Sequence, residues 1–488
     1  MKNTFYRINL FLVAILFFPI IASAEVGEVF NVDSTFNAGS SQQFQVNANL
    51  KNTFSLMDIY IENDFWESKD WADKNKINNI LFDLNLEFEK KIYPQLTNAF
   101  GGIKENDNDE LKKISILFYP MKDDARGYVR NIDAYNKIIN PSSNERNIIY
   151  LNSKYINEGM LPEILAHEFM HLIQLNQKEL KKGVTEQVWL NEARSEYAIT
   201  FLGYNSKDES YLDKRVKDFL LRPSTPLLEW ENTTYDYGAV NMFIHYLVEQ
   251  HGIEILIDSL NSDKVGIESI NEALKKNDYD NSFAEVFRDW SIAVYLNDCS
   301  VDKKYCYDNS KLKNVRILTN SAYMPFSRES SVSMNQSIRN WSSNWQRFVG
   351  INGNFKMEIE VPENCNFDIS YIYKDINEKT HVSSVYVENG RKKEINIPSL
   401  RENISPVIFI FSVKGTELEK TIKNPFFVYS ITASITSENA NEQEIISEPE
   451  IKIPFEIDKP LDEMNREELL RVLIRVIVYL LSQGKLVI

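Results

Sequence analysis

Residues 161–174 read LPEILAHEFMHLIQ, and within them His167, Glu168 and His171 form an HExxH motif on a segment of helical periodicity. A separation of four residues stacks side chains on one face of a helix, so both imidazoles can reach a single metal ion. Glu168 follows the first His and stands beside the ion's open coordination position, where it can take a proton from bound water. Zinc suits such a set, because it accepts imidazole and carboxylate ligands and keeps a fourth position for water. Pro162 fits the first turn of the helix. With five His in 488 residues, this pairing is a specific signal. The competing reading is a surface helix that carries two incidental His.

A catalytic zinc takes a third protein ligand. In metzincins it is a His six residues beyond the motif, with a Gly three beyond it. Those positions hold Gln177 and Gln174 here, which excludes that class. A carboxylate on the next helix is the alternative. A second helix is predicted over about 186–201, with Gly183 in the break before it. It carries WLNEARSEYA at 189–198, and its Glu192 lies 21 residues after His171. Two antiparallel helices with a short connection would return Glu192 to the metal. HEFMH followed by WLNEARSEYA resembles the gluzincin clan of zinc metallopeptidases. Upstream, IYIENDFWES, GYVRNIDAY and SSNERNIIYLN narrow the likeness to the hyicolysin-type secreted bacterial neutral metallopeptidases, over roughly residues 57–255. The resemblance implies His167, His171 and Glu192 as ligands of one catalytic Zn2+, with Glu168 as general base and acid. It further implies that Glu196, one turn after Glu192, orients a ligand His from behind. The rival assignment exchanges Glu192 and Glu196.

An oxyanion donor is expected in Thr234–Ala239 (TYDYGA). This stretch resembles the segment that bears a catalytic Tyr three residues before a Gly in the aminopeptidase branch of the clan. That likeness maps onto Tyr235, with Tyr237 as the alternative. His245, in an apolar run, reads as a core residue, and His251, before the C-cap Gly252, as a complement to the helix dipole. Gly101–Asn106 (GGIKEN) reads as a turn. Without an exopeptidase motif near His167, an endopeptidase is expected. The strand at 147–152 is a candidate edge for pairing with an extended peptide.

The rest of the chain frames this domain. Lys2 and Arg7, an apolar run at 8–21 and Ala22-Ser23-Ala24 form a cleavable export signal over residues 1–24. The predicted location is therefore secreted, periplasmic or cell-surface. Export permits disulfides, and Cys299 and Cys306 bracket a short loop that they could close, leaving Cys365 free. Residues 25–52 are polar and weakly periodic and read as a linker or pro-segment. Residues 53–313 are assigned to the catalytic domain: a helix at 76–100, strands at 114–119, 127–134 and 147–152, then helices, including one from about 238 to 250. Residues 314–436 alternate in short segments such as FKMEIEV and VIFIFSV and read as a β-sandwich-like domain. An acidic linker follows at 437–463, then a hydrophobic helix at 464–488, whose membrane or oligomer contacts stay open.

The fold class expected is therefore α+β. It comprises a gluzincin, thermolysin-like catalytic domain with a mixed-sheet N-terminal and a helical C-terminal subdomain, then the β-sandwich and the terminal helix. Lys+Arg total 54 against 70 Asp+Glu, a net charge of −16, which argues against nucleic acid as a partner. The function expected is a secreted zinc endopeptidase acting on protein or peptide substrates. The alternative is an exported adhesion or carbohydrate-binding protein whose peptidase-like domain is inactive or acts on a non-peptide substrate.

Overall fold

The computed structural model describes residues 27–38, 44–104, 113–206, 209–324, 329–363, 365–375, 377–388, 390–400, 406–414, 426–436 and 468–475. Residues 1–24, expected to be an export signal, and 437–463, expected to be an acidic linker, lie outside these residues. Two compact units divide the chain, Met1–Thr436 and Ser437–Ile488. In the second, residues 468–475 are helical, and Leu469, Leu470, Leu473 and Ile474 are exposed. No described helix is long and apolar enough to cross a membrane.

The first unit begins with a mixed sheet of β1 (Glu28–Asn31), β2 (Gln45–Thr53), β3 (Met57–Glu62), β4 (Ile114–Tyr119), β5 (Gly127–Tyr128) and β6 (Ile148–Asn152), in the order β1-β2-β3-β4-β6-β5. β3, β4 and β6 run parallel, and the other pairs are antiparallel. Within residues 25–52, whose composition reads as a linker or pro-segment, β1 and most of β2 are strands of this sheet. Phe30, Val46 and Ala48 point inward while the Asn and Gln between them face outward. This alternation is what a half-buried strand looks like when its polar face is rich in amides. Two further expectations are corrected. The strand at 127–134 stops after Tyr128, and a short 3-10 turn takes over at Asn131–Ala134. β6 is an interior strand, so the free sheet edge belongs to β5.

Helices follow or interrupt the sheet: α1 (Asn63–Glu67), α2 (Trp71–Glu87), α3 (Tyr93–Phe100), α4 (Leu161–Gln174), α5 (Val188–Phe201), α6 (Tyr211–Leu221), α7 (Thr234–His251), α8 (Glu254–Asn261), α9 (Gly266–Lys276) and α10 (Phe283–Leu296). Strand β4 is buried on both faces. Ile116 and Phe118 join the core with the helices, and Leu117 and Tyr119 the cluster on the opposite face. α7 starts four residues before the expected Gly238. Thr233 precedes its first turn, and Asp236 Oδ2 accepts from the Thr233 backbone N–H at 2.7 Å, a reciprocal cap that fixes the start. Gly238 is forced by proximity, since a Cβ there would stand 2.6 Å from the Phe219 backbone nitrogen on α6.

The β-rich region packs two sheets face to face. One has the order β13-β10-β15-β8, from β8 (Ser330–Arg339), β10 (Gly353–Glu360), β13 (Lys392–Leu400) and β15 (Phe426–Thr436). The other has the order β12-β11-β14-β9-β7, from β7 (Asn320–Tyr323), β9 (Ser343–Val349), β11 (Asn366–Lys374), β12 (Thr380–Val387) and β14 (Val407–Lys414). The continuous apolar run of β14 has a plain cause. Phe409 and Phe411 enter the sandwich core, while Ile408 and Ile410 join the helical core that also takes Trp341 and Trp345. The Trp345 indole N–H donates to Ser291 O of α10 at 2.9 Å. From the end of β8, the Arg339 guanidinium grips the segment before α7. It donates to Glu229 Oε2 at 2.9 and 2.7 Å and to Glu231 Oε1 at 2.8 Å. Cys299 and Cys306 are disulfide-bonded, and Cys365 is a buried free thiol.

Candidate metal centre

α4 lies against β5 and β6 on one side and α5 on the other. Its apolar residues Leu165, Ala166, Phe169, Met170 and Ile173 are buried all round, which fixes the rotation of the helix and so the direction of its His. Gly127 on β5 is the closest approach: a Cβ there would stand 2.9 Å from Tyr150 O and 3.0 Å from Glu168 Cγ.

The structure brings His167, His171 and Glu192 together. His167 Nε2 and His171 Nε2 are 3.2 Å apart, and Glu192 Oε2 lies 3.3 Å from the first and 3.7 Å from the second. A tetrahedral ion with bonds of about 2.0–2.1 Å needs donors roughly 3.3–3.4 Å apart. Among the described residues Glu192 Oε2 is buried with no hydrogen-bond partner, and it faces the two imidazole Nε2 atoms across a gap. A donor set of two nitrogens and one carboxylate oxygen, left unsatisfied and facing inward, could hold a zinc ion.

A supporting group sets the His171 tautomer, whereas His167 Nδ1 is buried without a hydrogen bond among the described residues. The His171 Nδ1–H donates to Asn191 Oδ1, which leaves the Nε2 lone pair directed into the gap. Asn191 is held in turn by Gln174, whose Nε2 donates to Asn191 O at 2.8 Å and to Ser195 Oγ at 3.0 Å. Gln174 thus ties α4 to α5, and Gln177 donates to Gly102 O at 2.7 Å. Glu196 lies behind His167, with Oε1 3.7 Å from Nδ1, on the side away from the gap. It is fully buried and accepts from Arg215 Nε (2.9 Å) and Nη2 (2.8 Å), Tyr211 OH (3.0 Å) and Asn241 Nδ2 (2.9 Å). Those donors occupy both of its oxygens.

Electrostatics separate the carboxylates by role. Burial pushes Glu168 up to about 7, opposed by His167 and reinforced by Glu192 and Glu196. Burial also disfavours charge on Glu192, but the two imidazoles outweigh it and hold its pKa below the usual range. For Glu196 the Arg215 guanidinium outweighs burial in the same direction. One carboxylate is thus poised near neutrality beside two whose pKa values are held down.

The two Tyr candidates part company. Tyr237 lines the cleft with His167 and Glu168, its ring 4.9 Å from that of Trp230 and 4.5 Å from the Arg215 guanidinium. Burial and the carboxylates of Glu192 and Glu196 raise its pKa, so its hydroxyl remains a proton donor. Tyr235 turns to the Arg222 guanidinium, 4.8 Å from its ring, and does not line the cleft. The two residues lie on one helical turn, and an i, i+2 pair points in different directions. His245 is a core residue: it bonds Asn241 O and Thr200 Oγ1, and burial pushes it down to about 4. His251 is buried and its pKa lowered, so it does not carry the charge expected of it at the helix end.

Sequence reasoning missed Arg215, Tyr211 and Asn241, which share no spacing with the motif. A fully buried Glu196 next to a ligand helix demanded a cationic partner, and that demand was the available signal.

No known protein-family model matches the chain. Solved structures similar to parts of it include tripeptidyl peptidase 2 (TM-score 0.20, 4% identity, 25% of this chain and 11% of that one). Another is the periplasmic lysozyme inhibitor PliG of Aeromonas hydrophila (TM-score 0.16, 12% identity, 24% and 96%). At these TM-scores the likeness is too loose to bear on fold or function. Among curated proteins, the chain is similar to the neutral metalloprotease ShpI of Staphylococcus hyicus, at 26% identity over 235 residues, 43% of this chain and 51% of that protein. The match spans about half the length of that relative.

Proposed function

We propose that the chain is an exported zinc-dependent endopeptidase of gluzincin type. The observation that carries this reading is the triangle of His167 Nε2, His171 Nε2 and Glu192 Oε2, with edges of 3.2, 3.3 and 3.7 Å, in a cleft that Glu168 also lines. The similarity to a neutral metalloprotease supports it. Export rests on the leader-like residues 1–24.

Zinc held by the three donors would supply a polarised water and a Lewis acid for the carbonyl. The Glu168 carboxylate accepts a proton from the attacking water and delivers it to the nitrogen of the leaving amine. The Tyr237 hydroxyl donates to the oxyanion that develops on the carbonyl oxygen. Glu196 positions His167, and Asn191 positions His171. The substrate lies extended along the free edge of β5, in a cleft of about 660 Å³ that reaches Trp230 and Asn232 on the far wall.

The test is metal analysis of the mature protein together with proteolysis of a casein-like substrate before and after chelation. Stoichiometric zinc and activity that returns on adding zinc back are expected. Metal-free protein with undiminished activity would exclude the reading.

Tyr237→Phe is expected to lower kcat by roughly 10²-fold with KM little changed, the usual cost of one oxyanion donor. Tyr235→Phe leaves both constants as they were. Steady-state kinetics on one quenched peptide decides between them, and the opposite ranking returns the role to Tyr235.

A further inference from the structure

A second pocket, of about 370 Å³, opens from the same centre at the opposite end of β5. It shares His167, Glu168 and Tyr237 with the main cleft, and Arg126 and Lys214 also line it. In a chain with a net charge of −16, this is a local concentration of positive charge.

The two cations differ from their neighbour Arg215. Arg215 is committed to Glu196 and to Asp218, 3.5 Å away. Among the described residues, neither Arg126 nor Lys214 has an ion-pair partner. The Arg126 guanidinium lies 5.0 Å from the centre of the Tyr211 ring, and its Nη1 is buried without a hydrogen bond. The Tyr211 hydroxyl is already engaged on both counts, since it donates to Glu196 and accepts from Arg215 Nη2. Lys214 stands at the solvent-exposed rim of the pocket; its partial burial, Arg126 and Arg215 together outweigh Asp218 and Glu196 and hold its pKa below the ordinary lysine range. Of the acids at the pocket, Glu168 belongs to the reaction centre and Asp124 is exposed to solvent. A buried donor without an acceptor is costly, and an arriving carboxylate would remove that cost through charge-assisted bonds.

Strand direction says which end of a substrate reaches this pocket. β5 runs from Gly127, next to Arg126, toward Val129 and Arg130. A peptide pairing antiparallel with that edge enters with its N-terminal part toward Arg130 and leaves with its C-terminal part toward Arg126. The residue after the scissile bond therefore falls at Arg126 and Lys214.

We infer that Arg126 and Lys214 form a carboxylate-selective subsite for the residue that follows the cleaved bond, filled by an Asp or Glu side chain or by a free C-terminal carboxylate. This rests on the hydrolase reading above.

The test uses the zinc-loaded full chain and quenched peptides that differ only at that residue: Glu, Gln or Lys within the chain, and a C-terminal residue as free acid or amide. The parent protein is expected to cut the Glu peptide with a kcat/KM about tenfold or more above the Gln peptide. The Arg126→Gln/Lys214→Gln double variant should lose that preference while still cutting the Gln peptide. A preference for the free acid over the amide, without a Glu preference, would assign the subsite to the chain terminus. Equal cleavage of all peptides by the parent, or an unchanged preference in a folded double variant, overturns the inference. Failure to cut any peptide counts against the hydrolase reading instead. Fluorescence anisotropy of the same peptides then tests the pocket alone: tighter binding of Glu than of Gln supports it, and equal binding overturns it.

Discussion

Glu168→Gln is expected to abolish peptide hydrolysis, by roughly 10²–10⁴-fold in kcat, while the protein keeps its fold and its zinc. Among the described residues the Glu168 side chain makes no hydrogen bond or ion pair, so the isosteric amide breaks no contact that holds α4. Burial already opposes its charge and lifts it to about 7. A neutral amide therefore fits the site at no cost in stability. The amide cannot accept a proton from water, and that step is the one lost. Three measurements on one preparation decide the matter: kcat on a quenched peptide, the thermal midpoint, and zinc per chain. Parent-like turnover in a folded, zinc-replete variant would remove Glu168 from the mechanism.

The second large effect separates two carboxylates one helical turn apart. Glu192→Ala deletes one of three inward donors, whose ion-pair partners among the described residues are the two His. Zinc content should collapse, while the metal-free protein unfolds at nearly the parent temperature. Glu196→Ala does the reverse. It strips Arg215, Tyr211 and Asn241 of their shared acceptor and leaves the buried guanidinium with Asp218, 3.5 Å away, in place of its hydrogen-bonded carboxylate. Loss of one partner from a buried pair costs about 3–5 kcal/mol, against a loss of zinc affinity of about 10–100-fold from the missing support behind His167. Zinc titration and denaturant unfolding of the two metal-free variants give the ranking. If Glu196→Ala loses more zinc and Glu192→Ala more stability, the two residues exchange roles.

The centre was legible because its information is local. A four-residue spacing on one helix and a carboxylate on the next survive any detail of packing, and His167, His171 and Glu192 meet as the spacing implied. A period of two likewise makes strands such as β10 and β15 legible, whereas β14 is a continuous apolar run because both of its faces are covered. Other signals are less local. Residues 25–52 read as a linker or pro-segment because Asn and Gln dominate the solvent face of β2, and only the sheet reveals that Phe30, Val46 and Ala48 are the other half of the pattern. Tyr235 was preferred over Tyr237 by analogy of spacing to a Gly. The choice turns on where α7 begins, and Thr233 with Asp236 starts it one turn earlier than the apolar run did. Arg126, Arg215 and Lys214 carry no motif at all; their meaning comes from which acids they do or do not meet after folding.

The grip of Arg339 on Glu229 and Glu231 bears on how the β-rich half can be studied. The gripped segment supplies Trp230 and Asn232 to one bank of the cleft. Severing the chain after residue 313 would therefore unmoor that bank and bare the apolar side of α10 in the same stroke. An inert truncation would be silent about whether the sandwich touches a substrate. Single changes on the open face of its four-stranded sheet, at Ser333 or Thr432 for instance, leave the mooring whole and can ask that question cleanly.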